Sequence, residues 1–530
     1  GSIMEFKHLN EIEKATKPGQ NELFRLGIGL LFMIGVIFYV VMRGDGNGSL
    51  MLAVAAMIGG YMAMNIGAND VANNVGPAVG SKALTLAGAL IIAATFEAAG
   101  ALIAGGDVVE TIRNGIIDQT RVGNGDSFVW LMMSALLAGA LWLNIATAMG
   151  APVSTTHSIV GAVLGAGIAA SGFEVANWST MGTIVASWVI SPVLGGVVAA
   201  AFLYFVKRRI TYQADMIAAA RRMVPLLVAI MAWAFSTYLI LKGLNKVWQV
   251  DFLTASLIGL VIGVISYLLV GPIAANKRLT GETAKQSVNQ LFTAPLIFSA
   301  ALLSFAHGAN DVANAVGPLA AISDVLIHGG AQVGRSASIP LWVMVVGAIG
   351  IAIGLGLYGP KVIRTIGSEI TELDQMRAYC IAMSAATTVI VASQLGLPVS
   401  STHIAVGGVF GVGFLREYLK SNYARIMEVI KAHHAEDDSD AINAFMARFR
   451  PASIKAKGRM LEELKAQAKL HLDPAHFSKM ERKGLKKIYR QELVKRSQLL
   501  RIAAAWVITV PASAIMAALL YYLIRGMMTG

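Results

Sequence analysis

The chain has 530 residues, 56% of them hydrophobic and 14% charged, with a mean hydropathy of +0.63. Soluble domains keep roughly 25% charged residues to hold their surface in water, so composition excludes a soluble globular protein and any soluble regulator. The net charge is +12, but 20 Lys/Arg and 11 Asp/Glu fall between Arg416 and Arg501; in a membrane chain this excess marks a cytoplasmic stretch rather than a nucleic-acid surface.

A bilayer core takes about 20 helical residues, roughly 17 at the short limit. After a cytoplasmic tail (residues 1–25), the run 26–42 predicts an extra N-terminal transmembrane helix within 26–48. It is too long for a signal-peptide core, and no small-residue cleavage site follows it. A first transmembrane repeat spans 49–206. In it, 50–80 crosses inward, 83–105 crosses outward, 128–170 forms a hairpin entering and leaving on the outer side, and 180–206 returns inward. The connecting segment 207–286 carries two more spans, near 223–241 and 252–271. Residues 287–415 form the second repeat. The basic stretch 416–501 is a cytoplasmic insertion with helix-like apolar spacing around Met460, Leu461 and Leu464, and 502–530 supplies the last helix of the second repeat. This path predicts nine full crossings and two hairpins, the N-terminus cytoplasmic and the C-terminus external. The single cysteine, Cys380, excludes an intrachain disulfide and reads as packing.

The repeats are visible in the residues themselves. The eleven residues from Gly67 to Pro77 return from Gly308 to Pro318 with one difference, Asn74 against Ala315. Pro152-Val153-Ser154-Thr155-Thr156-His157 returns as Pro398-Val399-Ser400-Ser401-Thr402-His403, and Trp188-Val189-Ile190 as Trp506-Val507-Ile508. The offsets are 241, 246 and 318; the jump in the last locates the insertion. The loop 171–178 has no Lys or Arg, and the next span ends at Lys207-Arg208-Arg209, which places that loop outside. Its twin is the basic insertion, inside. Equivalent points on opposite faces mean inverted repeats, an arrangement common in secondary transporters. The expected fold class is all-α: a polytopic membrane protein with two inverted-topology repeats, broken helices and re-entrant helical hairpins.

Two motifs carry the chemistry. An Asp at the bilayer centre costs at least about 3 kcal/mol on insertion scales, yet Asp70 and Asp311 recur in the same polar frame. Gly and Pro around them weaken a helix, so each motif is expected to break one and to offer a cation freed carbonyls and a carboxylate. Asp70 and Asn73 lie three apart on one helical face, as do Asp311 and Asn314. The second motif places a proline before Ser and Thr, which are preferred N-caps. New helices should therefore start near Ser154 and Ser400, aiming unpaired N–H groups and hydroxyls at an anion. No Lys or Arg lies inside either motif. An anion beside two carboxylates then calls for accompanying cations, which is symport chemistry, or for a protonated anion. His157 and His403 are expected to orient their helices by hydrogen bonds rather than relay protons. Glu97 lies in an apolar helix, and the stretch 338–343, taken as its counterpart, has no acid; His307 has Ile66 at its equivalent. An intramembrane enzyme using Asp, Ser and His would need one asymmetric constellation, whereas this chain offers two matched sets. A channel is disfavoured by cation and anion sites side by side.

The doubled GANDVAN and PVS(S/T)TH motifs resemble those of the inorganic phosphate transporter (PiT) family, over about residues 50–206, 287–415 and 502–524. The resemblance implies an inverted-repeat symporter taking up inorganic phosphate with sodium by alternating access, and not an enzyme. The alternative is a proton-coupled (metal-)phosphate or sulfate permease. It implies phosphate between Asp70, Asn73, Ser154, Thr155, Thr156, Asp311, Asn314, Ser400, Ser401 and Thr402, and sodium near Asn69, Asp70, Asn310 and Asp311. No resident cofactor is implied, sodium ions being co-substrate. The expected surroundings are the lipid bilayer of a bacterial inner membrane, with no nucleic-acid partner; a homodimer is left open. Two features depart from the family pattern: the extra N-terminal helix, and a cytoplasmic segment placed late instead of between the halves.

Overall fold

The computed structural model describes residues 2–44, 49–148, 153–243, 247–329, 339–370, 374–419, 430, 436–470 and 477–530. Pro152, Ser338 and parts of the basic segment 416–501 lie outside these described residues. The elements are helical throughout: α1 (Ser2–Arg43), α2 (Ser49–Gly80), α3 (Leu86–Ala104), α4 (Gly106–Glu110), α5 (Gly125–Ala148), α6 (Thr155–Ser171), α7 (Trp178–Val206), α8 (Met216–Gly243) and α9 (Phe252–Asn276). They continue with α10 (Ala284–Leu291), α11 (Thr293–Asp311), α12 (Ala313–His328), α13 (Leu341–Ile370), α14 (Gln375–Gln394) and α15 (Ser401–Leu419). The last four are α16 (Glu436–Phe449), α17 (Ile454–Lys469), α18 (Lys479–Ala504) and α19 (Val510–Thr529).

Eleven stretches among the described residues are long and apolar enough to cross a membrane. Two of them, Gly125–Ala146 and Gln375–Gln394, are first arms of hairpins whose second arms are the shorter α6 and the helix α15. The expectation of an all-α polytopic fold with inverted repeats and re-entrant hairpins holds.

Burial sorts the spans into layers. The stretch Thr293–His328 has 83% of its apolar window buried, whereas Glu22–Arg43 and Phe252–Asn276 have 17% each. Helices that bury little turn large apolar side chains outward, such as Leu257, Val261 and Leu268 on α9, which in a bilayer is satisfied by lipid tails. The motif-bearing helices are the inner layer.

The two repeats interlock rather than lie side by side. α2 packs along α13 and α11 along α3, while α6 packs on α19. Each contact is a close backbone crossing between the halves. A Cβ added at Gly67 would overlap the Ile351 carbonyl, and one at Gly308 would overlap the Glu97 carbonyl. The hairpins repeat the device, with Gly161 against the Val510 carbonyl and Gly407 against that of Pro192. Small residues let membrane helices approach closely where the hydrophobic effect gives no drive between them. These crossings also set the register between halves: Gly308 lies on Glu97 where Gly67 lies on Ile351, so the counterpart of Glu97 is Ile351. The sequence reading placed that counterpart at 338–343 by carrying the motif offset forward; the segment between motif and helix differs in length between the halves.

The first polar motif does not break its helix. α2 runs unbroken through Gly67 and Pro77, and only the second motif shows an interruption, at Val312 between α11 and α12. Proline inside a membrane helix is tolerated where neighbouring helices and side chains satisfy the freed backbone.

Residues Phe410–Ala504 form a second compact unit. Its core gathers Ile442, Phe445, Met446, Phe449, Leu464, Phe477 and Leu485, with Met460 and Leu461 packed against them. α18 begins with a reciprocal cap: the Ser478 N–H donates to Glu481 at 2.7 Å and the Glu481 N–H to Ser478 Oγ at 3.2 Å.

Candidate functional site

Both hairpins restart their helices as the Ser/Thr chemistry requires. Ser154 has extended backbone angles and its Oγ accepts from the His157 N–H at 3.3 Å, opening α6. Ser400 does the same for α15, accepting from the His403 N–H at 3.4 Å. In the second hairpin α14 closes on Gly396, whose φ of +70° lies in the left-handed region glycine favours. The segment between is tied down by Asn310. Its side chain donates to Ser393 Oγ and the Leu397 carbonyl, both at 3.0 Å, and accepts from the Val399 N–H at 3.1 Å.

The polar motif of each half meets the hairpin of the other. Asn73 donates to Thr402 Oγ1 at 2.9 Å. Asn314 donates to Thr155 Oγ1 and Thr156 Oγ1, each at 3.1 Å, and the Thr156 hydroxyl donates in turn to the Val399 carbonyl at 3.0 Å. Asp70, Asp311, Asn310, Asn314, Ser154, Thr155, Thr156, Ser400 and Ser401 are all buried, and Asn69, Asn73 and Thr402 are half-buried. Asn69 sits on α2 one residue before Asp70.

At the centre is a residue the symmetric reading set aside. His307 Nε2 lies 3.1 Å from Asp70 Oδ2 and 2.8 Å from Asp311 Oδ2, and its Nδ1 lies 2.7 Å from Glu97 Oε1. Asn74 donates to the same Glu97 oxygen at 2.5 Å. Both ring nitrogens face carboxylate oxygens, while a neutral imidazole has one N–H. One contact therefore needs either an imidazolium or a protonated carboxyl. Three carboxyl groups thus crowd around one imidazole in a buried place, where uncompensated charge is costly. Asp70, His307 and Asp311 each offer a ligand atom, all within 4.8 Å of one another, a grouping able to hold a cation.

This polar line is confined to one of the two equivalent crossings. The counterparts of Asn74, Glu97 and His307 are Ala315, Ile351 and Ile66, all apolar. One signal was present in the sequence: Asn74 is the only position of the eleven-residue motif that differs between copies. Its partner could not be read, because it depends on the register of α3 against α11.

His157 and His403 lie side by side, ring centroids 5.1 Å apart, and His157 packs against Trp188 with centroids 4.0 Å apart and the rings tilted by 59°. Neither nitrogen of His157 finds a hydrogen-bond partner among the described residues, so the expected helix-orienting bond is absent there. Trp188 instead donates to the Pro398 carbonyl at 2.9 Å, joining α7 to the opposite hairpin.

Comparison with known proteins agrees with this architecture. A model of the phosphate transporter family matches residues 66–517. A Helicobacter pylori (strain J99) protein named as a phosphate permease is 52% identical over 524 residues, covering 98% of both chains. A Pyrococcus abyssi protein similarly named is 37% identical over 379 residues, 72% of this chain and 92% of the relative. A solved structure described as "The sodium-dependent phosphate transporter" superposes with a TM-score of 0.71 at 30% identity, covering 90% of this chain and 99% of the other. The matches span both interlocked halves, and the chain belongs to the phosphate transporter family.

Proposed function

We propose that the chain is a secondary active symporter that takes up inorganic phosphate with sodium by alternating access. One observation carries the reading: two hydroxyl-bearing helix N-termini from opposite halves converge with Asn73 and Asn314 beside the buried cluster of Asp70, His307 and Asp311. The anion would be held by Ser154, Thr155, Thr156, Ser400, Ser401 and Thr402 with the two asparagines, and by Asp70 and Asp311 accepting from a protonated phosphate. Sodium would sit at Asp70 and Asp311, with Asn69 and Asn310 next to them. With no Lys or Arg in the motifs, the cation lowers the cost of bringing an anion beside carboxylates, and each ligand favours the binding of the other. That mutual dependence is what couples the two fluxes. Family membership and the likeness to a solved sodium-dependent phosphate transporter support the same pair of substrates.

The repeats, 49–206 and 287–415 with 502–530, would work in a bacterial inner membrane with the N-terminus cytoplasmic and the C-terminus external, the basic residues of 416–501 marking the inside. Proton coupling is the second reading, favoured by His307 among three carboxylates. Proteoliposomes decide between them. Imposed sodium gradients should drive accumulation of radiolabelled phosphate, and unlabelled sulfate should not compete. Uptake that ignores sodium and follows a pH gradient would overturn the sodium assignment, and transport of sulfate without phosphate would overturn the substrate.

A further inference from the structure

After α3 ends at Ala104, the chain turns at once into the short α4 and a π-helical turn, Thr111–Gly115. Wide turns of this kind recur at functional sites. The stretch belongs to the first half but is seated on the second. A Cβ on Gly317 of α12 would overlap the Ile112 side chain, and one on Gly396 would press on Thr111 Oγ1 and the Asp107 carbonyl. Gly396 forms the turn of the second hairpin, four residues before the Ser400 cap. The stretch therefore covers that hairpin turn on the face where α3 ends, and its Val108, Val109 and Ile112 are fully buried.

One ion pair ties this cover to the other half. The Arg113 guanidinium, 1% exposed, donates to Asp324 Oδ2 of α12 at 3.0 Å and to Glu110 on its own side. Asn114 donates to the other Glu110 oxygen at 2.7 Å and steadies that carboxylate. The near end of the cover is held by Lys242 of α8, which pairs with Asp107. A buried ion pair gains little over an apolar contact of equal size, yet breaking it is costly; between two halves it suits a contact that is either closed or open. The grouping has no twin in the repeat. The Glu97–Ile351 correspondence, carried forward, aligns Thr111-Ile112 with Thr365-Ile366, and sets Arg364 at Glu110 and Gly367 at Arg113. The motif correspondence sets Ala83 at Asp324. The binding motifs are doubled, whereas the acid–base–acid set stands on one face.

We propose that this cover is the outer gate of the carrier and that the Arg113–Asp324 pair is its latch. Phosphate enters when the pair parts and α4 with its turn leaves Gly317 and Gly396. The inference rests on the symporter reading above, in which α3 ends outside. Glu110 stays with Arg113 as the latch opens, so the guanidinium is not left as an uncompensated charge. A latch on one face alone makes opening to the two sides unequal and biases the empty carrier toward the state closed to the outside.

The test labels the full-length protein in intact cells with a membrane-impermeant maleimide. Ile112→Cys in a Cys380→Ser background reports from beneath the cover; Val109→Cys, equally buried, replaces it if that variant does not fold. Labelling should be slow while the latch is intact. Asp324→Asn removes the bond between halves and leaves Glu110 to neutralise Arg113. It should speed labelling at least about tenfold, the least expected from breaking a buried pair. Asp324→Glu, which keeps the charge, should restore slow labelling. Cys380, buried in α14, is the control: in an otherwise unaltered Asp324→Asn protein it should stay unlabelled. Unchanged labelling of the reporter in Asp324→Asn would overturn the proposal. Equal acceleration at Cys380 would do so too, by making the pair a structural brace. These measurements involve neither sodium nor phosphate, so proton-coupled or sulfate-specific uptake would remove the transport assignment and leave the latch standing. Acceleration seen only in permeabilised cells would overturn the outer placement of the gate.

Discussion

At the residue scale, the two halves differ in polarity where α3 crosses α11. Two equivalent helix crossings exist, yet Asn74, Glu97 and His307 stand at one and Ala315, Ile351 and Ile66 at the other. Three linked polar groups in one copy and three apolar ones in its twin make the line Asn74–Glu97–His307–Asp70 a unit. Glu97 fixes His307 from behind, and His307 meets both aspartates in front. Glu97→Gln preserves shape but replaces with an amide the carboxyl that His307 Nδ1 meets at 2.7 Å, so the imidazole loses the carboxyl contact behind it. We expect phosphate uptake to fall at least tenfold with folded protein retained, measured in proteoliposomes against thermal unfolding. Near-normal uptake would make the line a packing feature. A contrasting outcome is expected at His157, whose ring contacts are with Trp188 and His403 and not with a hydrogen-bond partner. His157→Phe keeps an aromatic ring there and should leave uptake close to that of the parent protein; loss of uptake with folded protein retained would assign the ring a proton-handling role. The aspartates and hydroxyls were legible in the sequence because they recur in pairs. Glu97 and His307 were legible only as oddities, since their meeting depends on a helix register that no motif encodes.

At the element scale, the decisive residues are those that are missing a side chain. Gly67 and Gly308 allow the backbones of α2 with α13, and α11 with α3, to touch where the carboxylates are carried. A methyl group at either position must displace a carbonyl belonging to a helix of the other half, and backbone yields less readily than a flexible side chain. Overpacking of a tight contact typically costs about 1–3 kcal/mol. Gly67→Ala and Gly308→Ala should therefore lower the unfolding temperature in detergent, whereas Gly356→Ala, where a Cβ meets nothing within 4 Å, should leave it unchanged. Equal behaviour of all three would remove the crossings as determinants of stability. The helix starts at Ser154 and Ser400 were readable from local chemistry, since a cap is satisfied within four residues. The continuity of α2 through Gly67 and Pro77 was not, because the forces that override glycine and proline come from helices distant in the sequence.

At the scale of the whole molecule, each half completes the other. Asn73 reaches Thr402, Asn314 reaches Thr155 and Thr156, and all four glycine crossings run between repeats. A site assembled this way from inverted repeats has one equivalent face toward each side of the membrane. Charge agrees with the inversion: Lys207, Arg208 and Arg209 follow α7, and the basic excess of 416–501 follows α15, which is the counterpart of α6 and not of α7. The orientation can be read directly, because Cys380 is buried and is the only cysteine. In a Cys380→Ser background, Glu174→Cys and Gly530→Cys should react with a membrane-impermeant maleimide added outside intact cells. Glu282→Cys, between α9 and α10, should react only after permeabilisation. Labelling of Glu174→Cys and Glu282→Cys from the same side would mean that α7, α8 and α9 do not cross an odd number of times. The two hairpins would then open to one side, and a carrier working by exchange of two equivalent faces would no longer follow from the fold.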